Sequence, residues 1–327
     1  LAAGNTAVIK PSEFASASIL ELARLFEQAG FPEGVVNTVT GYGNEVGEPL
    51  VAHPLVRKVA FTGGEIGGRK VYETAAKHFK GVTLELGGKS PNIVFADANL
   101  DNAVKGAISG IFAASGQTCI AGSRLLVQKS IEQEFTQRLV EFAATAKMGD
   151  PKKLDTQVGP ITTQPKYQLV LNYIDIARQE GAKTLLGGGK PDDPALKQGW
   201  FVQPTVFGNV RNSMRIAQEE VFGPVLSIIP FADDDEAIAI GNDIAYGLAA
   251  GVWTSSMARA FKMSDKLQAG TVWVNTYRAV SYMSPFGGYK ASGLGRESGQ
   301  DSIYEFLQTK SVWISFADKV ANPFVLR

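Results

Sequence analysis

Cys119 is the only cysteine in the chain, and it lies in a loop of small and polar residues, Ser115-Gly116-Gln117-Thr118-Cys119-Ile120-Ala121-Gly122. A lone thiol builds no disulfide framework and no cysteine-based metal site, so it is either inert filler or a reactive group. Filler cysteines usually sit within apolar periodic runs, whereas this one follows Gly116 and precedes Ala121-Gly122, where backbone N–H groups are available to a developing oxyanion. The setting predicts an exposed nucleophile.

Glu85 is the second residue of chemical interest. It stands between two leucines at the end of an apolar stretch, Thr83-Leu84-Glu85-Leu86-Gly87-Gly88. A carboxylate in such surroundings loses hydration, its pKa rises, and it suits general-base work. An alternating strand that turns Glu85 to water is the other reading. His53, which precedes a proline, and His78, near a lysine-bearing helix end, are the only histidines. Neither resembles a partner for a cysteine–histidine dyad, two lone histidines without clustered ligands build no zinc site, and no metal is expected.

Two glycine signals bear on nucleotide binding. In Gly41-Tyr42-Gly43…Gly47 the last glycine comes one position too late for the dinucleotide fingerprint, so the run reads as turn chemistry. Phe61-Thr62-Gly63-Gly64-Glu65 follows a strand and opens a helix, so Gly63 and Gly64 can expose N–H groups to a pyrophosphate, or can form a glycine-rich turn with no ligand. Lys10 and Glu13 sit at another strand end, placed to meet ribose hydroxyls or simply to flank a helix start.

These residues need a frame that brings strand ends together. Short β-branched runs at 6–9, 35–39, 58–61 and 92–95 alternate with helical patterns after Lys10-Pro11-Ser12-Glu13, near 45–52, over 65–77 and from Leu100 onward. Ser130 and Gln133 have the spacing of a capping box for a further helix. Strands at 225–230 and 270–274 follow a solvent loop around Gly187-Gly188-Gly189. Repeated β-α units predict an α/β fold with a parallel sheet and ligands at the carboxyl ends of its strands.

The 327 residues are 45% hydrophobic, enough for a full core, and 32 basic residues balance 32 acidic ones without a block of like charge. No nucleic acid and no membrane partner is expected: no run reaches the roughly 18 apolar residues of a span. One thiol and no leader-like start point to a cytoplasmic protein. The opening Leu1-Ala2-Ala3-Gly4, without a methionine, reads as the start of a fragment.

Taken together, the motifs resemble the NAD(P)-dependent aldehyde dehydrogenases from Leu1 to about Ser315. Residues 82–91, Val-Thr-Leu-Glu-Leu-Gly-Gly-Lys-Ser-Pro, resemble the family's glutamate signature, and Gly116-Gln117-Thr118-Cys119 with Ala121-Gly122-Ser123-Arg124 its cysteine signature. The Glu85-to-Cys119 spacing of 34 matches the family. Residues 9–13, Phe61-Thr62-Gly63, residues 219–224 and residues 285–290 are further matches in the expected order.

The resemblance implies that Cys119 attacks an aldehyde, that hydride passes to NAD (NADP is also possible), and that Glu85 activates the water that hydrolyses the thioester. It implies Lys10 and Glu13 at the adenosine ribose, Gly63 and Gly64 at the pyrophosphate, Glu220 at the nicotinamide ribose and Phe222 beside the ring. Glu13 favours NAD because a carboxylate repels a 2'-phosphate. Thiolate formation is expected to draw on a helix environment or on the cationic nicotinamide. Glu85 separates the chain from coenzyme A-dependent relatives, which typically lack that glutamate.

By the same resemblance, Phe286 and residues 277–283 form the substrate-tunnel wall, Glu297 serves proton relay, and Lys310–Ser315 is a subunit-pairing strand of a homodimer or homotetramer. Within that wall, Arg278 either favours an anionic or polar aldehyde or faces solvent. The expected organisation is a partial Rossmann-like NAD-binding domain over residues 1–87, an α/β catalytic domain over 88–288, and a return segment with an oligomerisation strand over 289–327.

Two departures stand out. Family members carry the first sheet strands, an oxyanion-hole asparagine and a relay lysine upstream of the position matching Leu1, and Gly64 replaces a usual serine. A catalytically silent NAD-binding or assembly-only member or fragment is the alternative reading.

Overall fold

The computed structural model describes residues 1–325; Leu326 and Arg327, the end of the expected C-terminal segment, lie outside the described residues. The first part runs β1 (Ala7–Ile9), α1 (Ser16–Gln28), β2 (Val36–Thr38), α2 (Glu48–Ala52), β3 (Lys58–Thr62), α3 (Glu65–Lys77) and β4 (Gly81–Glu85). The middle part runs β5 (Pro91–Val94), α4 (Leu100–Phe112), β6 (Arg124–Gln128), α5 (Glu132–Ala143), α6 (Gln164–Gln179), β7 (Lys183–Leu186) and β8 (Thr205–Gly208). Then follow α7 (Arg215–Gln218), β9 (Val225–Phe231), α8 (Asp234–Asn242), β10 (Tyr246–Gly247), β11 (Ala249–Trp253), α9 (Met257–Lys266), β12 (Thr271–Val274), β13 (Tyr289–Lys290) and β14 (Gly293–Leu294).

The main layer is a seven-stranded sheet in the order β12-β11-β5-β6-β9-β8-β7, parallel except for β7. Its central strands are largely apolar and buried, with Asn92, Arg124 and Ser227 as buried polar exceptions, because both faces are covered. Successive residues go to opposite sides: Val94, Leu125 and Val127 pack with Ile111, Phe135 and Leu139 of α4 and α5. Ile93 and Leu126 pack on the other side with Val170, Ile174 and Met263 of α6 and α9. The expected α/β architecture is observed, with β5, β9 and β12 within one residue of the expected bounds at each end.

The first β-α units pair in parallel as expected, but not in one continuous sheet. β1 pairs only with β2, whereas β3 and β4 form a separate sheet that antiparallel β14 completes. The chain therefore returns from beyond residue 289 to pair Gly293 with Glu85.

Two local expectations are corrected, and a third, the helix near 45–52, is present with an altered start. Helix α1 does not open at Lys10-Pro11-Ser12-Glu13, because the Ser12 carbonyl accepts from Ala15 N–H at 3.0 Å and forms a turn first. The helix near residue 45 starts as a π-helical turn over Gly43–Gly47, which closes on the Tyr42 carbonyl. The Ser130/Gln133 capping box does not form: Ser130 lies inside a 3-10 turn, and α5 begins after Ile131 with no side-chain cap.

Candidate active site

β4 is the middle strand of the three-stranded sheet and β5 an inner strand of the seven-stranded one, so the connection from Glu85 to Ser90 passes from one sheet to the other. Ser292 secures it. Its hydroxyl donates to the Gly87 carbonyl at 2.7 Å and accepts from Gly247 N–H at 3.0 Å, and its carbonyl accepts from Leu86 N–H at 2.9 Å. Glu85 is 4% exposed, so the water-facing alternative is set aside. Neither of its carboxylate oxygens meets a hydrogen-bond partner. Burial, reinforced by Glu297 and opposed by Arg296, pushes its pKa up to about 8.

The Cys119 loop is shaped by strained backbone. Ala114 and Ser115 adopt φ of 51° and 53°, and Gly116 follows at 70°, which ends α4 abruptly. Side chains hold the turn. Ser115 Oγ donates to the Gly159 carbonyl at 2.9 Å, while Gln117 Oε1 accepts from Thr162 N–H at 2.9 Å and its Nε2 donates to the Pro160 carbonyl. Gly116 packs directly on the Gly223 carbonyl, where any Cβ would collide.

The exposed nucleophile predicted from sequence is in fact half-buried. Burial first, and then the Glu220 carboxylate, push the thiol pKa up; the backbone N–H groups of Ile120 and Cys119 face the sulfur and oppose the rise. The expected helix contribution to the thiolate is not observed. The segment entering the loop ends in left-handed turns, and Cys119 sits in irregular backbone rather than at a helix N-terminus.

Glu220 and Phe222 lie across a small cleft from Gly88 and Thr118. Glu220 Oε1 accepts from Gly88 N–H at 3.1 Å, and burial raises its pKa against the pull of that N–H, Lys166 and Lys89. Phe222 is held at φ 56°, with Lys166 Nζ 5.7 Å from its ring centre.

The remaining cofactor candidates form a more open rim. Gly64 caps α3 in extended conformation with nothing within 4 Å of where its Cβ would be, so space lies before the helix N-terminus. Gly63 N–H is already bonded to the Glu85 carbonyl at 3.0 Å. Lys10 Nζ donates to the Gly41 and Pro11 carbonyls, and Glu13 is exposed. His53 and His78 are exposed, and no group of three potential ligands for a metal occurs among the described residues.

Sequence reasoning missed a polar support beneath this site. Lys89 is 2% exposed, and burial and the Arg124 guanidinium push its pKa down to about 7, partly offset by Glu220 and Glu219. Glu219 accepts from Tyr173 Oη at 2.7 Å and from Arg215 Nε and Nη2 at 2.7 and 2.9 Å. The Arg215–Glu219 pair has helical i,i+4 spacing and was legible, but Tyr173 lies 46 positions from Glu219 and nothing local marks it.

The aldehyde dehydrogenase family model matches residues 1–312. The chain belongs to the aldehyde dehydrogenase family. It is 48% identical to the Bacillus subtilis protein DhaS over 318 residues, covering 97% of this chain and 63% of DhaS. It is 47% identical to an aldehyde dehydrogenase of Emericella nidulans, with 97% and 63% of the two chains covered. The crystal structure of Staphylococcus aureus betaine aldehyde dehydrogenase in complex with NAD+ superposes with a TM-score of 0.96 at 40% identity, over 98% of this chain and 64% of that one. The chain thus spans slightly under two thirds of the length of these relatives. No helix among its described residues is long and apolar enough to cross a membrane.

Proposed function

We propose that the protein oxidises an aldehyde to a carboxylic acid, with NAD+ as the hydride acceptor and Cys119 and Glu85 as its catalytic residues. The observation that carries this reading is Glu85: a carboxylate buried at the end of β4, with both oxygens unpartnered and its charge felt at Cys119. A buried carboxylate without partners is costly to keep, and a water to deprotonate gives it a use.

Cys119 Sγ attacks the carbonyl carbon, and the N–H groups of Cys119 and Ile120 that face the sulfur favour its thiolate form. NAD+, when bound, accepts hydride from that carbon. Glu85 takes a proton from water, the hydroxide adds to the Cys119 thioester, and the C–S bond breaks to release acid and thiol. Aldehyde, NAD+ and water thus become acid, NADH and a proton.

The residues fit the cofactor. Space before α3 at Gly64 suits a pyrophosphate, and Glu220 Oε1 is positioned by Gly88 N–H so that its carboxylate can hold a ribose. Phe222 flanks the same cleft. Exposed Glu13 and half-buried Lys10 serve the adenosine ribose, and the Glu13 carboxylate favours NAD over NADP. Several solved relatives are NAD+ complexes, which supports the assignment.

In this reading, residues 1–87 bind cofactor, 88–288 carry the thiol chemistry, and 289–327 return to β4 and lead to a pairing strand. Lys310–Ser315 is exposed and pairs with no strand among the described residues, and Val312, Trp313 and Ile314 offer an apolar edge for a homodimer or homotetramer. The test is NADH formation from NAD+ and a panel of aldehydes by the protein expressed from its complete gene, beside Cys119→Ser. Silence with every aldehyde while NAD+ still binds would favour a non-catalytic member.

A further inference from the structure

Arg124 opens β6, five positions after Cys119, and is fully buried. Its guanidinium makes four hydrogen bonds. Nε donates to the Lys89 carbonyl at 2.9 Å, Nη1 to Asn212 Oδ1 at 3.1 Å and the Ile240 carbonyl at 2.8 Å, and Nη2 to the Gly241 carbonyl at 2.8 Å. None of these acceptors is a carboxylate. A buried cation without a carboxylate partner costs stability that an apolar side chain of similar bulk would not. Capping the last carbonyls of α8 accounts for the bonds to Ile240 and Gly241, but Lys89 and Asn212 lie outside any helix.

Those other two bonds close a ring that passes through Glu220. The Lys89 carbonyl belongs to the link whose Gly88 N–H donates to Glu220 Oε1 at 3.1 Å. On the opposite side, Asn212 Nδ2 donates to the Asp243 carbonyl and to Asp243 Oδ2, at 2.9 Å each. Gln218 Nε2 donates to the Asn212 carbonyl at 2.7 Å and to the Asp243 carbonyl at 3.1 Å, and Gln218 lies two positions before Glu220. The circuit thus runs from Arg124 through Lys89, Gly88, Glu220, Gln218 and Asn212 back to Arg124. Gly88 also abuts the Cys119 carbonyl, so the same anchor bears on the thiol loop. A rigid planar fork meets Lys89 and Asn212 together, which an ammonium on a flexible stem does not.

We infer that Arg124 is a positioning residue, whose guanidinium fixes the Glu220 carboxylate relative to Cys119 through the Lys89 carbonyl on one side and the Asn212–Gln218 strap on the other. Being fully buried, it acts through these groups and not on the cofactor itself. The inference rests on the reading above in which Glu220 holds the nicotinamide ribose.

The test uses the protein expressed from its complete gene, with Gln218→Ala, with Arg124→Lys, which keeps the charge and loses the fork, and with both. NAD+ binding is measured by calorimetry and Cys119 alkylation as a function of pH. Gln218→Ala should weaken NAD+ binding by about three- to tenfold, as expected for ordinary hydrogen bonds. Arg124→Lys should weaken it at least as much and also shift the alkylation profile. The loss in the double variant should fall short of the product of the two single effects, because both act on one strap. If Arg124→Lys does not fold, Asn212→Ala, which removes one acceptor of Arg124, takes its place in the cycle with the same expectation for NAD+. Fully multiplicative losses, or an unchanged NAD+ affinity in Gln218→Ala, overturn the inference. So does an Arg124→Lys protein that melts earlier but binds NAD+ and alkylates as wild type does, the mark of a residue that only caps α8.

Neither measurement needs turnover, so the two readings fail separately. If the variants behave as expected and no aldehyde is oxidised, the dehydrogenase reading fails and the positioning role stands. Oxidation of aldehydes by proteins that all bind NAD+ equally overturns the positioning role alone. If wild type binds no NAD+, the cofactor reading fails, and the alkylation profile decides: a shift in Arg124→Lys upholds the anchor on the thiol loop, and an unshifted profile overturns it.

Discussion

The backbone N–H of Gly88 donates to Glu220 Oε1 at 3.1 Å, and this bond joins the strand end bearing Glu85 to the loop bearing Phe222. The same glycine lies against the Cys119 carbonyl, so three candidate groups converge on one backbone position that has no room for a side chain. A Cβ there would come within 2.5 Å of that carbonyl oxygen, which is backbone and cannot swing aside. Gly88→Ala should therefore lower stability by about 1–3 kcal/mol, as overpacking does. It should also slow alkylation of Cys119, measured by thiol labelling, because the loop must shift.

Tyr173 offers a gentler probe of the same loop. Its hydroxyl bonds Glu219, the residue before Glu220, and lies remote from the thiol in sequence. Tyr173→Phe removes that bond and keeps the ring. The expected result is a higher KM for NAD+, by about three- to tenfold for a bond worth about 1 kcal/mol, with kcat little changed. A fall in kcat at unchanged KM would show that the clamp serves the chemistry rather than cofactor placement.

Turnover should rise with pH through the range around 8, where Glu85 becomes a carboxylate. Below that pH the base is protonated, so thioester hydrolysis slows by about tenfold per unit. Burial raises the Cys119 thiol as well, so acylation also gains with pH. Rapid-mixing measurements separate the two. In Glu85→Gln the first-turnover burst of NADH should persist, and the steady-state rate should fall by about 10²–10⁴-fold, the span of general-base catalysis. A variant with an undiminished steady state would place the base elsewhere.

What was legible in the sequence follows from the range of the interactions involved. The core strands were readable because burial on both faces leaves largely apolar runs, as in Val225–Phe231, where only Ser227 interrupts. Glu85 was readable because a carboxylate between two leucines conflicts with such a run. The split between the β3–β4 sheet and the main sheet was not, since Leu86 to Ser90 looks like any glycine-rich link until Ser292, some 200 positions on, bonds to it. The burial of Cys119 escaped for the same reason. Small flanking residues suggest access, yet they also let Gly116 press against Gly223, which closes the loop. The failed Ser130 cap was a matter of one residue of register, since the N-cap falls at Ile131, and sequence patterns are blind to such shifts.

The buried Glu85 also links stability to pH, with a sign opposite to that of most carboxylates. Its pKa is about 8 in the folded chain against an ordinary 4.5. Between these values the folded state holds a proton that the unfolded state has released, so stability falls as pH rises, by about 1.4 kcal/mol per unit from this group. The penalty is absent below pH 4.5 and complete above pH 8. Glu85→Gln is uncharged at every pH and keeps the shape. Denaturant titrations at pH 6 and pH 8 should therefore show the variant gaining on wild type as pH rises. Parallel pH dependence in the two proteins would mean that the folded Glu85 titrates like an ordinary carboxylate, and the case for an unusually basic carboxylate would lapse with it.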